Sequence, residues 1–507
     1  MVADGNTEAV GIPEAHRFAH VDLRDREGMT VLAEQIRAER GLDGVFTAGT
    51  DFSTTVAWVA QALGLPGIPY ETALNATDKV RMRRLLNAHG VPQPAFRELG
   101  KSDLPLSVLE HLSLPLVIKP VDNMGARGVR KLQTEEDLVR AFAAALSFSA
   151  SGRVIVEEYV PGPEFSLDAL VADGEPVLTG FADRHIFFEP RFIEMGHTMP
   201  TAVDHAAARE VVEVFFKGIR ALGISPGAAK GDVKLSPRGA LVGEIAARLS
   251  GGYMSGWTYP YAHGVNLTAA ALRLAVGEPL PDLSPREHDH SAERAVISIP
   301  GRVARITGVK EARRSAFVRD LFLRVNAGDP VVFPANNVEK CANVITKAPT
   351  RDQAIAAAQE AIAKLFIRLE PGGAETEAFL FTDKTAPRAF RLAVKQNQDF
   401  FDGLSGWYGD PGRLDPKKPA VLTLPGLAEE EARDWHGLSL PQAAAEVRAQ
   451  TGLCFLNDPA GAPCVVGRLF WTALLAGSVP GAVWLLDTLA AQEDHERLTL
   501  FMKGKAS

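Results

Sequence analysis

The chain has 507 residues, 46% hydrophobic and 23% charged, with 45 glycines and 33 prolines. These are the proportions of a soluble globular protein of several domains, and they exclude a disordered chain, a collagen-like fibre and a disulfide-rich miniprotein. Lys and Arg number 54 against 62 Asp and Glu, a formal charge of −8 with no tract of five like charges, which argues against a nucleic-acid partner.

The N-terminus has neither the basic start nor the apolar stretch of a signal peptide. Residues 43–47 read as a short buried strand, followed by a turn at Ala48–Asp51. Val56, Val59, Ala60 and Leu63 then recur on one helical face, and Gly64 to Gly67 supplies the breakers that end the helix 53–63. Thr77 or Asp78 caps a second helix, 79–89, which stops at Gly90. Alternation of this kind predicts a small parallel sheet flanked by helices.

Further on, residues 114–119 form a strand, a glycine-containing loop follows, and residues 128–132 return. Thr134 opens a helix in capping-box fashion, and 154–159 is another strand. Phe165, Leu167, Ala169 and Val171 alternate with polar residues, the period-two pattern of a half-buried strand over 164–172. After a helix around 211–221 comes a strand pair, 231–235 and 240–246, joined by a turn at Ser236–Gly239. From 295 to about 377 short strands alternate with the Ala-rich helix 351–366, and no repeat of fixed period occurs anywhere.

Beyond Phe390 the texture becomes loop-rich and then mostly helical, over 428–491. Residues 469–486 carry no charge, but Gly477-Ser-Val-Pro-Gly481 divides them into two pieces, each far shorter than the ~20 residues of a spanning helix. Two buried helices around a turn are expected there, with no membrane partner. Cys341, Cys454 and Cys464 are odd in number and widely spaced, which fits neither a disulfide framework nor a metal knuckle and predicts a reducing, cytoplasmic setting. Cys454 and Cys464 with His436 have no spacing that specifies a metal.

Three stretches carry chemistry. In the hairpin, Asp232 lies on one strand and Glu244 on the next, so folding brings two carboxylates together where they can share Mg²⁺. Arg248, four residues beyond Glu244, is in reach of phosphoryl oxygens or a developing oxyanion. A surface hairpin with two solvated acids has the same pattern. In the second stretch a strand ends in Lys119 and a loop carries Gly125 and Gly128; glycines let backbone N–H groups approach phosphates, and the lysine adds a point charge. The spacing is neither that of a Walker loop nor of a dinucleotide fingerprint, and an unliganded glycine hairpin is equally compatible. In the third, Glu157 and Glu158 end a strand before a Pro-Gly turn and Glu164; Glu157 can accept from an adenine amino group, Glu164 from ribose hydroxyls, and the backbone between them, Val160 included, can read the ring edge.

Taken in order, Asp78-Lys79, Val117-Ile118-Lys119 with its glycine loop, Glu157…Glu164 and Asp232…Glu244…Arg248 resemble the ATP-grasp superfamily of carboxylate ligases, in particular the L-amino-acid ligase and biotin carboxylase-like branch, over about residues 20–385. The resemblance implies an α/β and α+β ATP-grasp fold with ATP held between two α+β subdomains and Mg²⁺ or Mn²⁺ as cofactor. It places Lys79 and Lys119 on the phosphates, Glu157 at adenine, Glu164 at ribose, Asp232 and Glu244 on the metal, and Arg248 at the acyl-phosphate chemistry. It also implies two steps: a carboxylate attacks the γ-phosphate to form an acyl phosphate and ADP, and an amine then displaces phosphate. Glu194 and His197 fall where related ligases line the acceptor site, so that Glu194 binds an amino group and His197 orients or deprotonates it; Gly251 and Gly252 let backbone N–H groups approach a carboxylate. Tyr253, Trp257 and Tyr259 suit either an apolar side-chain pocket or the core.

This chain departs from many relatives in having Asp232 for Glu, Ala246 for a metal-binding Asn, and a front end that enters at the second strand. The domains read as a pre-ATP-grasp region at 1–95, a lid at 96–175, a catalytic subdomain at 176–385 with a small C-terminal part from about 295, and a mostly helical segment at 391–507 suited to docking on the ligase body or to homo-oligomer formation. The leading function is an ADP-forming ligase that joins a small carboxylate, such as an amino acid, to an amine. A carboxylase or purine-pathway type of ligase and a non-catalytic ATP-binding module are the alternatives.

Overall fold

The computed structural model describes residues 1–383, 385–390, 432–451 and 468–491. They fall into two units: Met1–Glu293 with Ala335–Asn337 and Ile345–Ile355, and Arg294–Pro334 with Val338–Val344 and the described residues from Ala356 onward.

The first unit begins with a two-stranded parallel pair, β1 (Val2–Asp4) and β2 (Phe18–His20), followed by helices α1 (Arg26–Arg40), α2 (Ser53–Leu63), α3 (Tyr70–Thr77) and α4 (Lys79–Ala88). The parallel sheet expected from the βα alternation is therefore reduced to β1 and β2. The strand expected at 43–47 has no ladder partner among the described residues and carries no strand assignment. Its backbone lies instead against the end of a later helix: a Cβ on Gly44 would stand 2.0 Å from the Ala275 carbonyl oxygen. Hydrophobicity marked this segment as buried, but a strand also needs a neighbour for its N–H and C=O groups. Helix α4 starts where the sequence indicated. Asp78 accepts from the backbone N–H groups of Val80 and Arg81, both at 2.9 Å, and its other oxygen pairs with Arg153. Asp78→Ala is expected to destabilise the first unit by about 1–2 kcal/mol, seen as a lower melting midpoint in calorimetry. An unchanged midpoint would show that the cap does not hold α4.

Next comes a four-stranded antiparallel sheet of order β3-β6-β4-β5, formed by β3 (Phe96–Gly100), β4 (Leu116–Pro120), β5 (Arg130–Leu132) and β6 (Arg153–Glu158). One face packs on helix α5 (Glu135–Ser147), which opens with the expected Thr134–Asp137 capping box. Strand periodicity decides which residues face it. Leu116, Ile118, Val154 and Val156 join Leu138 and Phe142 in a core, leaving Lys119 and Glu157 on the opposite face.

The larger sheet includes five consecutive neighbours of order β11-β10-β7-β8-β9, antiparallel to one another: β7 (Glu164–Ala172), β8 (Glu175–Phe187), β9 (Ile193–Met199), β10 (Gly227–Ser236) and β11 (Gly239–Ala246). Helix α6 (His205–Leu222) covers one face, where Val211, Phe215 and Ile219 meet Leu167, Val233, Val242 and Ile245. Helices α7 (Tyr259–His263) and α8 (Leu267–Ala275) follow, with Tyr259 buried in a cluster with Leu170 and Leu267. Tyr259 is thus a core residue, whereas Tyr253 and Trp257 stack edge to face at 5.4 Å.

The second unit contains a three-stranded antiparallel sheet, Pro330–Val331, Gly301–Thr307 and Phe366–Leu369. The apolar segment Arg468–Ala491 is helical with a non-helical break at Ser478 (φ 52°, ψ −149°) just before Pro480, the two pieces around a turn that the sequence predicted. Phe470–Thr488 is long and apolar enough to cross a membrane by length and composition, and 78% of that window is buried. Asp487 accepts from Arg368 Nε at 2.7 Å, and Trp435 packs on Phe333 at 4.9 Å, so the described parts of the C-terminal segment dock on the small sheet of this unit. Cys341 is buried, which pushes its thiol up to about 12 against the pull of Arg324. Cys454 and Cys464 lie outside the described residues.

Candidate functional site

The larger sheet turns its second face toward charged chemistry. Asp232 and Glu244 are directly opposite each other on β10 and β11, beside a bulge between Asp232 and Val233. Asp232 pairs in turn with Ser166 on β7, Glu164 on β7 with Arg184 on β8, and Arg184 with His197 on β9. Residues opposite one another in a ladder share a face, so these pairs form a row across five strands. Lys230 and Lys234, two residues either side of Asp232, join the same face.

The contacts along this row are ionic. Lys79, the first residue of α4, places its Nζ 3.3 Å from Glu244 Oε1 and donates to the Asn123 carbonyl at 2.7 Å. Asp232 accepts from Ser166 Oγ at 3.0 Å, pairs with Arg184 at 3.0 Å and is also in contact with Lys230. Burial alone would raise the Glu244 carboxyl, but Lys79, Lys230, Lys119 and Arg248 outweigh it and hold the group well below the carboxylate range. Arg184 reaches Asp232, Glu164 and, through Nε at 3.0 Å, Glu194. Those three acids overcome burial and keep its guanidinium charged.

Across from the row lie the lysine and acid of the smaller sheet. Glu157 has both oxygens occupied, by Arg83 Nε at 2.8 Å and by Lys119 Nζ at 2.6 Å. Burial favours the neutral acid, yet Arg83 and Lys119 bring its pKa down to about 2. Burial pushes the Lys119 ammonium down, with Glu157 opposing. Arg83 also donates to the carbonyls of Val242 at 2.9 Å and Gly243 at 2.7 Å. Glu157, read from the sequence as an acceptor for adenine, is thus an ionic bridge between α4, Lys119 and the strand that carries Glu244. Glu158 accepts from Arg238 at 2.7 Å, the Val160 carbonyl accepts from Lys234 at 3.1 Å, and Lys234 lies 3.5 Å from Glu164. Gly125 and Gly128 have left-handed backbones, φ 67° and 72°, in the loop after β4.

Arg248 donates to the Leu249 carbonyl at 2.9 Å and to Met124 Sδ at 3.4 Å, and lies 3.9 Å from Asp51. Its Nε is buried with no hydrogen-bond partner among the described residues. Glu194 and His197 do meet: His197 Nε2 is 3.6 Å from Glu194, and Nδ1 is 3.2 Å from the buried Glu293. Gly252 sits over this pair at φ 60°, and a Cβ there would approach Glu194 Oε1 to 2.7 Å. The loop that carries Gly251 and Gly252 is pinned by Asp168, which accepts from Ser250 Oγ at 2.5 Å and also from Ser255.

Arg83, Asp168, Lys230 and Lys234 escaped the sequence reading. Two of the signals were local: Arg83 follows Lys79 by four residues on one helix face, and the lysines flank Asp232 at the strand period. The two opposed carboxylates are hard oxygen donors, a set that fits Mg²⁺. Among the described residues no group of three or more His, Cys, Asp or Glu is arranged to hold a metal ion, so the remaining ligands of such an ion would be phosphate oxygens and water.

Paired acids on a hairpin, surrounded by lysines and arginines, suit nucleotide phosphates and a divalent metal. The sequence profile of the ATP-grasp domain matches residues 112–256, and that of L-amino acid ligase C-terminal domain 2 matches residues 295–370. A D-alanine–D-alanine ligase of Desulforudis audaxviator is 30% identical over 233 residues, 43% of this chain and 71% of that protein. Human carnosine synthase 1 is 26% identical over 365 residues, which span 66% of this chain and 44% of the relative's length. The crystal structure of an L-amino acid ligase from Bacillus licheniformis superposes with a TM-score of 0.63 at 23% identity, covering 71% of this chain and 89% of that one, and so shares the fold. The chain belongs to the ATP-grasp superfamily, as an ADP-forming ligase that uses ATP with Mg²⁺.

Proposed function

We propose that the protein activates a small carboxylate as an acyl phosphate and transfers it to an amine, with an amino acid on at least one side, releasing ADP and phosphate. The observation that carries this is the ionic row: Asp232 and Glu244 face to face, ringed by Lys79, Lys230 and Arg184, with Arg248 four residues beyond. Phosphoryl transfer needs little covalent help from protein and much positioning and charge. Lys79 and Lys119 would bind the phosphates, and Glu157 holds Lys119 in place. Asp232 and Glu244 would hold Mg²⁺, which when bound offsets charge on the phosphates. The backbone of the Gly125–Gly128 loop would cover the phosphates and exclude water, which would otherwise hydrolyse the acyl phosphate. Glu164 and the backbone at Val160 would receive ribose and adenine, with Glu158 held beside them by Arg238. Arg248 would meet the oxyanion formed when the amine attacks. Glu194 and His197, with the Gly251-Gly252 backbone, would receive the amino-acid partner. Relatives named for ligating amino acids support that class. The reducing setting read from the cysteines supports a cytoplasmic enzyme.

The test is ADP release with ATP, Mg²⁺ and a panel of acid–amine pairs. At least one pair should stimulate release, and Glu244→Gln should reduce the stimulated rate by at least ~10²-fold at an unchanged melting midpoint. ATP binding with no stimulation by any pair would instead make the chain a nucleotide-binding module.

A further inference from the structure

Beside Arg248 lies a cleft that the phosphate chemistry does not use. It runs between the irregular segment Val45–Thr47, helix α2, the Pro66–Ile68 turn, the start of β10 and the end of α8. Val45, Phe46, Val56, Ile68, Ala228 and Leu274 are among its walls. Thr47 and Ser53 add hydroxyls, and Arg248 is the one charged residue lining it among the described residues. Val45, Phe46, Val56 and Ile68 are only partly buried.

A cleft of this composition discriminates by what it lacks. An apolar group that enters loses unfavourable contact with water, whereas a carboxylate or amide side chain gives up hydration for at most the two hydroxyls of Thr47 and Ser53. The one charge is that of Arg248, whose Nε is buried without a partner among the described residues and which complements a carboxylate. We infer that this cleft receives the short, branched aliphatic chain of the acid whose carboxylate faces Arg248. The substrate acid is thereby assigned to an apolar class, and Val56 and Ile68 become specificity-determining residues. This rests on the ligase reading for the role of Arg248, but the cleft itself can be tested without turnover.

The experiment is calorimetric titration of the intact chain, with Mg²⁺ and a non-hydrolysable ATP analogue present, using leucine, 4-methylpentanoate and aspartate as probes. Leucine or 4-methylpentanoate should bind at least about tenfold more tightly than aspartate. If only leucine binds, the α-amino group is also recognised; if both bind, the chain and carboxylate suffice. Val56→Phe, which fills the cleft, should weaken the aliphatic probe at least about tenfold while the affinity for the ATP analogue stays the same. Val56→Thr keeps the shape and adds a hydroxyl, and should weaken the same probe in a chain that folds as before. Equal affinity for aspartate and leucine, no binding of either aliphatic acid, or indifference to both substitutions overturns the assignment. Aliphatic binding that is lost on substitution, in a protein that releases no ADP with any pair, upholds the cleft and removes the ligase reading.

Discussion

Arg248→Ala is expected to lower kcat for ADP release by about 10²–10³-fold, with little change in melting midpoint. The magnitude follows from removing preorganised donors aimed at charge that develops only in the transition state. The small structural effect follows from the contacts of the side chain. It donates to one backbone carbonyl and one thioether, lies 3.9 Å from Asp51, and leaves Nε without a partner among the described residues. Arg248→Lys should restore little, because an ammonium cannot reproduce the planar fork of the guanidinium. The informative measurement is kcat and KM for each variant beside its thermal melt. Near-normal kcat in Arg248→Ala would remove Arg248 from the chemistry, and a collapsed melt would make its role structural.

The second large effect is on stability. Glu157 is the shared counter-ion of two buried cations, Arg83 and Lys119, and Arg83 in turn holds the carbonyls of Val242 and Gly243 next to Glu244. Glu157→Gln leaves both cations without compensation and should cost about 3–5 kcal/mol. Its pH signature has a definite sign. The folded pKa of Glu157, about 2, lies below the ordinary carboxylate value of 4.5, so the native state favours the ionised form. The stabilisation is complete above about pH 4.5 and is lost as pH falls toward 2. Denaturant titrations of the wild type over that window should therefore lose stability more steeply than those of Glu157→Gln. Parallel pH profiles would mean that the carboxylate is not held in this way. Because Glu157 also positions Lys119, the substitution should weaken ATP as well.

Glu157 shows where local inference stops. Its strand, its face and its place before a Pro-Gly turn were legible, because alternation and turn residues act over a few positions. Its partners were not. Arg83 is 74 residues away in sequence, and the pairing exists only because α4 packs between the two sheets. Arg184 is similar: only the strand order β10-β7-β8-β9 brings it to Asp232, Glu164 and Glu194 together. The segment at 43–47 failed in the other direction. Its hydrophobicity indicated burial, but Val45 and Phe46 are only partly buried, and among the described residues no neighbouring strand pairs with it.

The sequence by itself determined the pieces whose causes are local: the Asp78 cap that starts α4 at Lys79, the strand that ends at Lys119, and the hairpin that opposes Asp232 to Glu244. Their order along the chain was enough to point to the ATP-grasp superfamily. The tertiary structure alone decided which charges meet, and it formed the apolar cleft beside Arg248 from five separate segments. The reason is physical. Caps, turns and strand periods are set by neighbours in the chain, whereas ion pairs and cleft walls depend on register and packing, where a slip of one residue turns a side chain to the other face.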